Sequence, residues 1–220
     1  MLHELAQPLV DEGRVWRVQL DTYEREVERY GGDAGMELAE AIFDADSEAV
    51  AEIMGQLEPG EGNDARWRLA FRGIHLLLVD LGLDVEGRAR VVRRMRSGYA
   101  AEYRADAALE IDLGARFRAE RSALESLLRG HVGDEHLLNT GFGALEGRSR
   151  KLAPIAAVLR ERALSGALTL SIEELVPSLV HMHANRMLRS EHRSQELVLC
   201  DWLARIYESE IARGKKPRSE

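Results

Sequence analysis

Cysteine is nearly absent from this chain of 220 residues, and Cys200 is the single example. One cysteine excludes a disulfide within the chain and is typical of proteins kept in a reducing compartment. Aromatic side chains make up 5% of the residues, so we expect a core built mainly from aliphatic side chains. No signal sequence is recognisable, and no apolar run reaches the roughly 20 residues that span a bilayer. The sequence therefore predicts a cytoplasmic protein without a membrane span.

Lysine is also scarce, and the formal net charge is −8. An acidic chain without a long cationic run argues against a direct nucleic-acid partner. The exception is a cluster of five arginines at positions 88, 90, 93, 94 and 96. This spacing makes a local positive patch on a helix. A solvated face balanced by acidic side chains on other helices is the simpler interpretation.

Apolar residues recur mostly with helical spacing. The predicted helices cover residues 2–12, 34–43, 47–57, 64–81, 85–103, 107–129, 145–164 and 172–211. Breaks are predicted at residues 59–63, 82–84, 130–143 and 165–166. Asp84 and Ser171 are suitable N-caps, and Glu174 completes a capping box with Ser171. We expect a mainly α fold, with a single domain over residues 1–212 and a disordered tail over residues 213–220.

One segment breaks the helical pattern. Between Arg14 and Leu20, the side chains of Trp16, Val18 and Leu20 alternate with polar residues, which predicts a β-strand. A single strand cannot satisfy its own backbone hydrogen-bonding groups. The prediction is therefore a residual N-terminal strand that needs a partner from elsewhere.

A polar segment follows this strand. Asp21 is a candidate cap for a short helix over residues 23–30, which ends at a double glycine. Within it, Glu26 and Arg29 are three residues apart and share one helix face. Ion pairing on a helix surface would explain this spacing. Its position after a strand end and before two glycines makes it a candidate site as well.

A second polar segment lies within the predicted helix over residues 172–211. Helical geometry places His183 on a largely apolar face, which favours a core histidine. His181 shares a more polar face with Asn185, and it is the better candidate for proton transfer. Arg186 could bind an anion beside it or form a surface ion pair.

Several catalytic templates do not fit the sequence. A glycine-rich phosphate loop and an HExxH run are both missing, and Cys200 has no neighbours with the spacing of metal ligands. We therefore expect no metal. The residues alone indicate a mostly helical protein with a candidate Glu/Arg/His site.

Four stretches of the sequence resemble a known family. They are WRVQLDTYEREVERYGG at residues 16–32, LAEAIFDADS at 38–47, SLVHMHANRMLR at 178–189 and RSQEL at 193–197. The chain is similar to the C-terminal domain of class I lanthipeptide dehydratases, which also occurs as stand-alone proteins in thiopeptide pathways. The resemblance covers nearly the whole chain.

The resemblance implies an activity. In this family a larger partner esterifies serine or threonine of a precursor peptide with glutamate from glutamyl-tRNA. The resembling domain then eliminates glutamate and leaves dehydroalanine or dehydrobutyrine. By resemblance, Glu26, Arg29 and a histidine of the motif at residues 181–186 correspond to the elimination site. The match fits His181 or His183, and the helix-face argument selects His181, with His183, Asn185 and Arg186 as candidate supporting residues. The implied partners are the glutamylated precursor peptide and a companion glutamylation protein, and a homodimer is left open. The resemblance also implies that no organic cofactor is needed, because the glutamate arrives on the substrate.

Family members also carry upstream strands with a further catalytic arginine. The chain begins too late to contain them, so we expect a fragment, a misplaced gene start, or strands supplied by another polypeptide. Two other functions stay open for this reason. One is a relative that forms the thiopeptide pyridine ring by [4+2] cycloaddition, and the other is a non-catalytic peptide-binding or scaffolding module.

Overall fold

Helices dominate the chain. The computed structural model describes residues 2–57, 63–131, 133 and 136–214. A short 3₁₀ helix, Val27–Tyr30, comes between the first two α-helices. In chain order the α-helices are α1 (Leu2–Asp11), α2 (Asp33–Met54), α3 (Asn63–Asp80), α4 (Val85–Glu102), α5 (Ala107–Arg129), α6 (His136–Leu164), α7 (Ile172–Met187) and α8 (His192–Gly214). Since the described residues contain no strand, the mainly α prediction is confirmed.

The core is aliphatic, as the composition predicted. α4 lies along α8, α2 lies along α6, and α3 packs against both α6 and α7. The buried side chains at these contacts include Leu69, Leu145, Val180 and Leu203, which are fully shielded from solvent. They form one continuous cluster that joins α2, α3, α4, α6, α7 and α8. No helix in the described part of the chain is long and apolar enough to cross a membrane.

Three predicted helix boundaries are wrong. α2 runs without interruption through residues 44–46, because Ala45 and Asp46 are buried and no breaker lies there. The predicted helix over residues 172–211 is two helices, since Leu188 is extended and Glu191 has a φ of 50°. α6 begins nine residues earlier than predicted, and the glycines of this stretch lie inside the helix.

Two other predictions lie partly outside the described residues. The predicted break over residues 59–63 reaches the structure only at Asn63, where α3 begins. Of the tail predicted to be disordered over residues 213–220, only residues 213 and 214 are described, and they belong to α8.

The N-terminal strand is a further wrong prediction. Residues 17–20 form no strand, and within the described residues no backbone hydrogen bond joins them to another segment. Trp16 and Leu20 are 82% and 79% exposed. Alternating apolar residues provide one face of a strand but not the neighbouring strand that a ladder requires. The alternation was therefore wrongly interpreted as a β-strand.

The helix predicted over residues 23–30 is also shorter than expected. Only Val27–Tyr30 is helical, and it is a 3₁₀ turn. Asp21 caps no helix, because its Oδ1 accepts a hydrogen bond from the adjacent Thr22 N–H. The two glycines that follow tighten the chain into a turn and leave no length for an α-helix.

The other capping and surface predictions agree with the structure. Asp84 Oδ1 accepts a hydrogen bond of 2.7 Å from the Gly87 N–H, and Glu174 accepts one of 2.9 Å from the Ser171 N–H. In the arginine cluster of α4, three members form ion pairs with acidic residues of other helices. These pairs are Arg90–Glu173, Arg93–Glu208 and Arg96–Asp201. The positive charge of this face of α4 is therefore largely neutralised by acidic residues of other helices.

Candidate functional site

The double glycine places Arg29 beside α7. Gly31 and Gly32 have φ values of 85° and 91°, which non-glycine residues rarely adopt. The Thr169 N–H donates a hydrogen bond of 3.0 Å to the Gly31 carbonyl. This bond ties the 3₁₀ helix to the segment that leads into α7. Arg29 is thereby held next to the first half of α7.

Arg29 bridges two elements. Its Nε donates to Ser178 Oγ of α7 at 3.1 Å, and its Nη1 donates to Glu26 Oε2 at 3.1 Å. The Glu26–Arg29 pair expected from the sequence does form, although on a 3₁₀ turn. Glu26 is 57% exposed and lies at the outer side of Arg29. Its ion pair with Arg29 holds the guanidinium in place.

His181 lies one turn beyond Ser178 and is hydrogen-bonded through both ring nitrogens. Its Nδ1 is 2.8 Å from Glu196 Oε1, and its Nε2 is 3.1 Å from Asn185 Nδ2. A carboxylate can only accept, so Nδ1 carries the proton. The Asn185 amide donates to Nε2, so Nε2 carries the lone pair of the ring, and Asn185 engages this lone pair in the structure. The ring can act as a base at Nε2 when a substrate takes the place of the Asn185 amide.

Glu196 is the residue that the sequence reasoning missed. It is fully buried on α8, and its second oxygen accepts a hydrogen bond from the Tyr99 hydroxyl of α4. Burial and the Glu196 carboxylate raise the pKa of Tyr99 far above its ordinary value, so the phenol keeps its proton. Tyr99, Glu196 and His181 form a chain from α4 through α8 to α7. Glu196 fixes the tautomer and the direction of the imidazole.

His181 and Tyr99 border one open cleft of about 340 Å³. α4 forms one wall with Met95, Gly98, Tyr99 and Glu102, and α7 forms the opposite wall with Pro177, Ser178 and His181. Arg29 and Arg193 complete the lining. The structure therefore brings Arg29 and His181 together, and Asn185 joins them through His181. A guanidinium beside an oriented imidazole can bind an anionic group and move a proton next to it.

His183 lies in a separate, buried cluster, as its apolar face predicted. Its Nδ1 is 2.7 Å from Asp46 Oδ1, and Arg148 Nη1 donates to the same oxygen at 2.8 Å. Arg186 Nη1 donates to Asp46 Oδ2 at 3.3 Å, and its guanidinium lies over the Phe43 ring. Arg186 thus contacts this cluster. Neither His183 nor Arg186 lines the cleft of His181.

The cluster contains opposite charges away from water. Burial alone would raise the pKa of Asp46, but His183 and the guanidinium of Arg148 outweigh it and hold that pKa well below its ordinary value. Burial lowers the pKa of His183, so a neutral ring donates its Nδ1 proton to Asp46. Arg148 also donates to the Gly73 carbonyl at 2.6 Å. The cluster joins α2, α3, α6 and α7.

Gly73 makes this arrangement possible, because a Cβ there would lie 2.2 Å from His183 Nε2. Gly73→Ala is therefore expected to lower the free energy of unfolding by about 1–3 kcal/mol through overpacking. Gly143→Ala is the matched control, since a Cβ at this helical glycine meets nothing within 4 Å. The control is expected to gain roughly 0.5–1 kcal/mol. Urea unfolding monitored by circular dichroism measures both, and equal stabilities for the two variants would contradict the close approach.

A larger cavity of about 500 Å³ lies between α3, α5 and α8, with Trp67 and Trp202 in its wall. None of the predicted site residues lines it. The smaller cleft is the better candidate because it combines an oriented base with cationic side chains. Within the described residues, no three His, Cys, Asp or Glu side chains are grouped so as to hold a metal ion.

Comparisons with known proteins identify the family. Residues 1–207 match the family model described as "Lantibiotic biosynthesis dehydratase C-term". No curated protein and no solved structure matches the chain significantly. The family match covers most of the sequence, including all four stretches that carried the resemblance. The chain belongs to the family of lantibiotic dehydratase C-terminal domains.

Proposed function

We propose that this chain eliminates glutamate from glutamylated serine or threonine of a precursor peptide and leaves dehydroalanine or dehydrobutyrine. Family membership supports a role in lanthipeptide biosynthesis with a precursor peptide as partner. The elimination step is our proposal, as are a companion protein that supplies the glutamyl ester and a cytoplasmic location.

The reaction breaks two bonds. A base removes the α-hydrogen of the esterified residue, a carbon–carbon double bond forms, and the Cβ–O bond breaks with its electron pair leaving on the glutamate carboxylate. His181 Nε2 takes the proton, while the Glu196 carboxylate offsets the positive charge that develops on the ring. Arg29 binds the departing carboxylate through charge-assisted hydrogen bonds. Glu26 and Ser178 hold Arg29 in position.

The observation that carries this proposal is the joint placement of His181 and Arg29 at one cleft. Arg29 donates to Ser178 Oγ at 3.1 Å, and Ser178 is three residues before His181 on the same helix face. A peptide with its ester seated between them would present its α-hydrogen to the imidazole and its leaving group to the guanidinium. The cleft is open to solvent, which suits a peptide substrate.

Arg29→Ala is expected to lower the rate of glutamate release by about 10²–10³-fold, because one stabilising donor for developing negative charge is lost. Arg25→Ala is the matched control. Arg25 lies on the same segment and pairs with Glu40 at 2.9 Å, outside the cleft. Mass spectrometry of a glutamylated precursor peptide measures both variants. Equal rates for Arg29→Ala and the parent would remove Arg29 from the reaction.

The same assay separates the other functions. A pyridine-forming cyclase would convert a linear, already dehydrated peptide into a macrocycle and would leave the glutamyl ester intact. A non-catalytic module would bind the glutamylated peptide and return it unchanged. Among these three functions, only the lyase releases glutamate and leaves dehydroalanine or dehydrobutyrine in the peptide.

A further inference from the structure

Two charged side chains of the cleft have no place in the elimination chemistry described above. Arg193 lies at the start of α8 and Glu102 at the end of α4, and both line the cleft with Arg29 and His181. Arg193 Nη1 is 3.8 Å from Glu102 Oε2, and the side chains are 51% and 48% exposed. The guanidinium is 5.6 Å from the centre of the Tyr99 ring.

This ion pair is loose. At 3.8 Å the two groups attract each other without a well-formed hydrogen bond. An exposed pair of this kind contributes about 0–1 kcal/mol, so separating it costs little. Each partner can therefore take a group of opposite charge from a ligand. Arg193 offers a site for a carboxylate, and Glu102 offers one for an ammonium group.

Given the proposed function, we infer that Arg193 and Glu102 recognise the glutamyl group itself. Glutamate transferred from a tRNA is esterified through its α-carboxyl group, which leaves a side-chain carboxylate and an α-ammonium group free. Arg193 binds the side-chain carboxylate and Glu102 binds the ammonium group, while Arg29 meets the carboxylate that departs. Two cations and one anion in the cleft thus match the two carboxylates and one ammonium group of the released glutamate.

Arg193 and Glu102 determine which acyl group is accepted, and they do not take part in the bond-breaking step. An acyl group without the side-chain carboxylate loses its contact with Arg193 and leaves that guanidinium paired only with Glu102. An acyl group without the ammonium loses its contact with Glu102. Hydrogen bonds to charged groups are strong enough to change kcat/KM by roughly 10- to 100-fold. We therefore expect the parent protein to prefer glutamyl esters over both analogues by that factor.

The experiment compares three esters of the same serine in one precursor peptide: glutamyl, glutaminyl and glutaryl. Glutaminyl keeps the size but lacks the side-chain charge, and glutaryl lacks the ammonium group. In the Arg193→Gln variant, the glutamyl-to-glutaminyl ratio of kcat/KM is expected to fall to about 1. In the Glu102→Gln variant, the glutamyl-to-glutaryl ratio is expected to fall similarly, and Arg193→Lys is expected to restore part of the first ratio.

Arg94→Gln is the matched control, because Arg94 is an exposed arginine on α4 outside the lining of the cleft. Both ratios should stay at the parent values in this variant. If the parent eliminates all three acyl groups equally well, the inference is wrong although the lyase proposal stands. The inference is also wrong if Arg193→Gln keeps the full preference. If the parent eliminates none of the three, the proposed function itself fails.

Discussion

Replacing His181 by asparagine is expected to lower the rate of glutamate elimination by about 10²–10⁴-fold, the usual contribution of a positioned general base. Asparagine keeps a polar group near Glu196 and Asn185, so the helix is disturbed little. It has no basic nitrogen to accept the α-hydrogen. Steady-state release of glutamate from a glutamylated precursor peptide measures the loss, and circular dichroism checks that the variant is folded.

The expectation depends on Glu196. Its Oε1 is 2.8 Å from His181 Nδ1, which keeps the ring proton on Nδ1 and the lone pair on Nε2. Glu196→Gln offers an amide N–H at this position and favours the other tautomer, with the proton on Nε2. We therefore expect this variant to lose activity as well, although the imidazole is intact. The known cost of such a tautomer change in a serine protease is ~10⁴-fold in kcat.

His131→Asn serves as the control for His181→Asn. His131 is exposed and lies at the larger cavity between α3, α5 and α8, away from the cleft. Its replacement should leave glutamate release unchanged. An active His181→Asn variant would exclude His181 as the base, and a parent-like Glu196→Gln variant would exclude the orienting role of Glu196.

Asp46→Asn is expected to be the most destabilising single substitution considered for this chain. Asp46 is 3% exposed and accepts hydrogen bonds from His183, Arg148 and Arg186. Removing its charge leaves the buried guanidinium of Arg148 without a counterion. Breaking a buried pair in this way costs about 3–5 kcal/mol. Urea unfolding at neutral pH measures the change.

Asp44→Asn is the control, because Asp44 lies on the same helix two residues earlier and is exposed. Its replacement should change the free energy of unfolding by no more than ~0.5 kcal/mol. Equal losses for the two variants would mean that the buried carboxylate of Asp46 contributes no more to stability than an exposed carboxylate does. That result would contradict the ionic account of the cluster.

Because the pKa of Asp46 is lowered in the folded protein, its contribution to the free energy of unfolding depends on pH. The folded pKa lies well below the ordinary value, so the unfolded chain binds this proton first as the pH falls. The stabilisation is therefore complete above the ordinary pKa of an aspartate and is lost progressively below it. The parent should lose stability steeply in acid. Asp46→Asn should show a shallower acid dependence.

Helical periodicity predicted much of the site because it depends on local spacing. It assigned His183 to the core and His181 to a polar face with Asn185, and the burial and contacts of these residues confirm both assignments. It also placed Glu26 beside Arg29. His181 and Asn185 are four residues apart, and Glu26 and Arg29 are three apart. At this spacing, local helical geometry alone makes two side chains neighbours.

Contacts between different helices could not be predicted from the sequence, because they depend on tertiary packing. Glu196 meets His181 only because the chain breaks after α7 and α8 returns alongside it, a contact that no local pattern encodes. Asp46 fell between the predicted helices over residues 34–43 and 47–57, and its ion pair with Arg148 of α6 depends on how these helices pack. The strand prediction failed for the same reason, because the alternation of Trp16 and Leu20 with polar residues does not indicate whether a neighbouring strand is present.

The central claim is that the cleft between α4 and α7 releases glutamate from an esterified peptide. The most direct measurement incubates the parent protein with a precursor peptide that carries one glutamylated serine and quantifies both products by mass spectrometry. We predict free glutamate and dehydroalanine in equal amounts. Recovery of the intact ester, or release of glutamate with regenerated serine, would contradict the account.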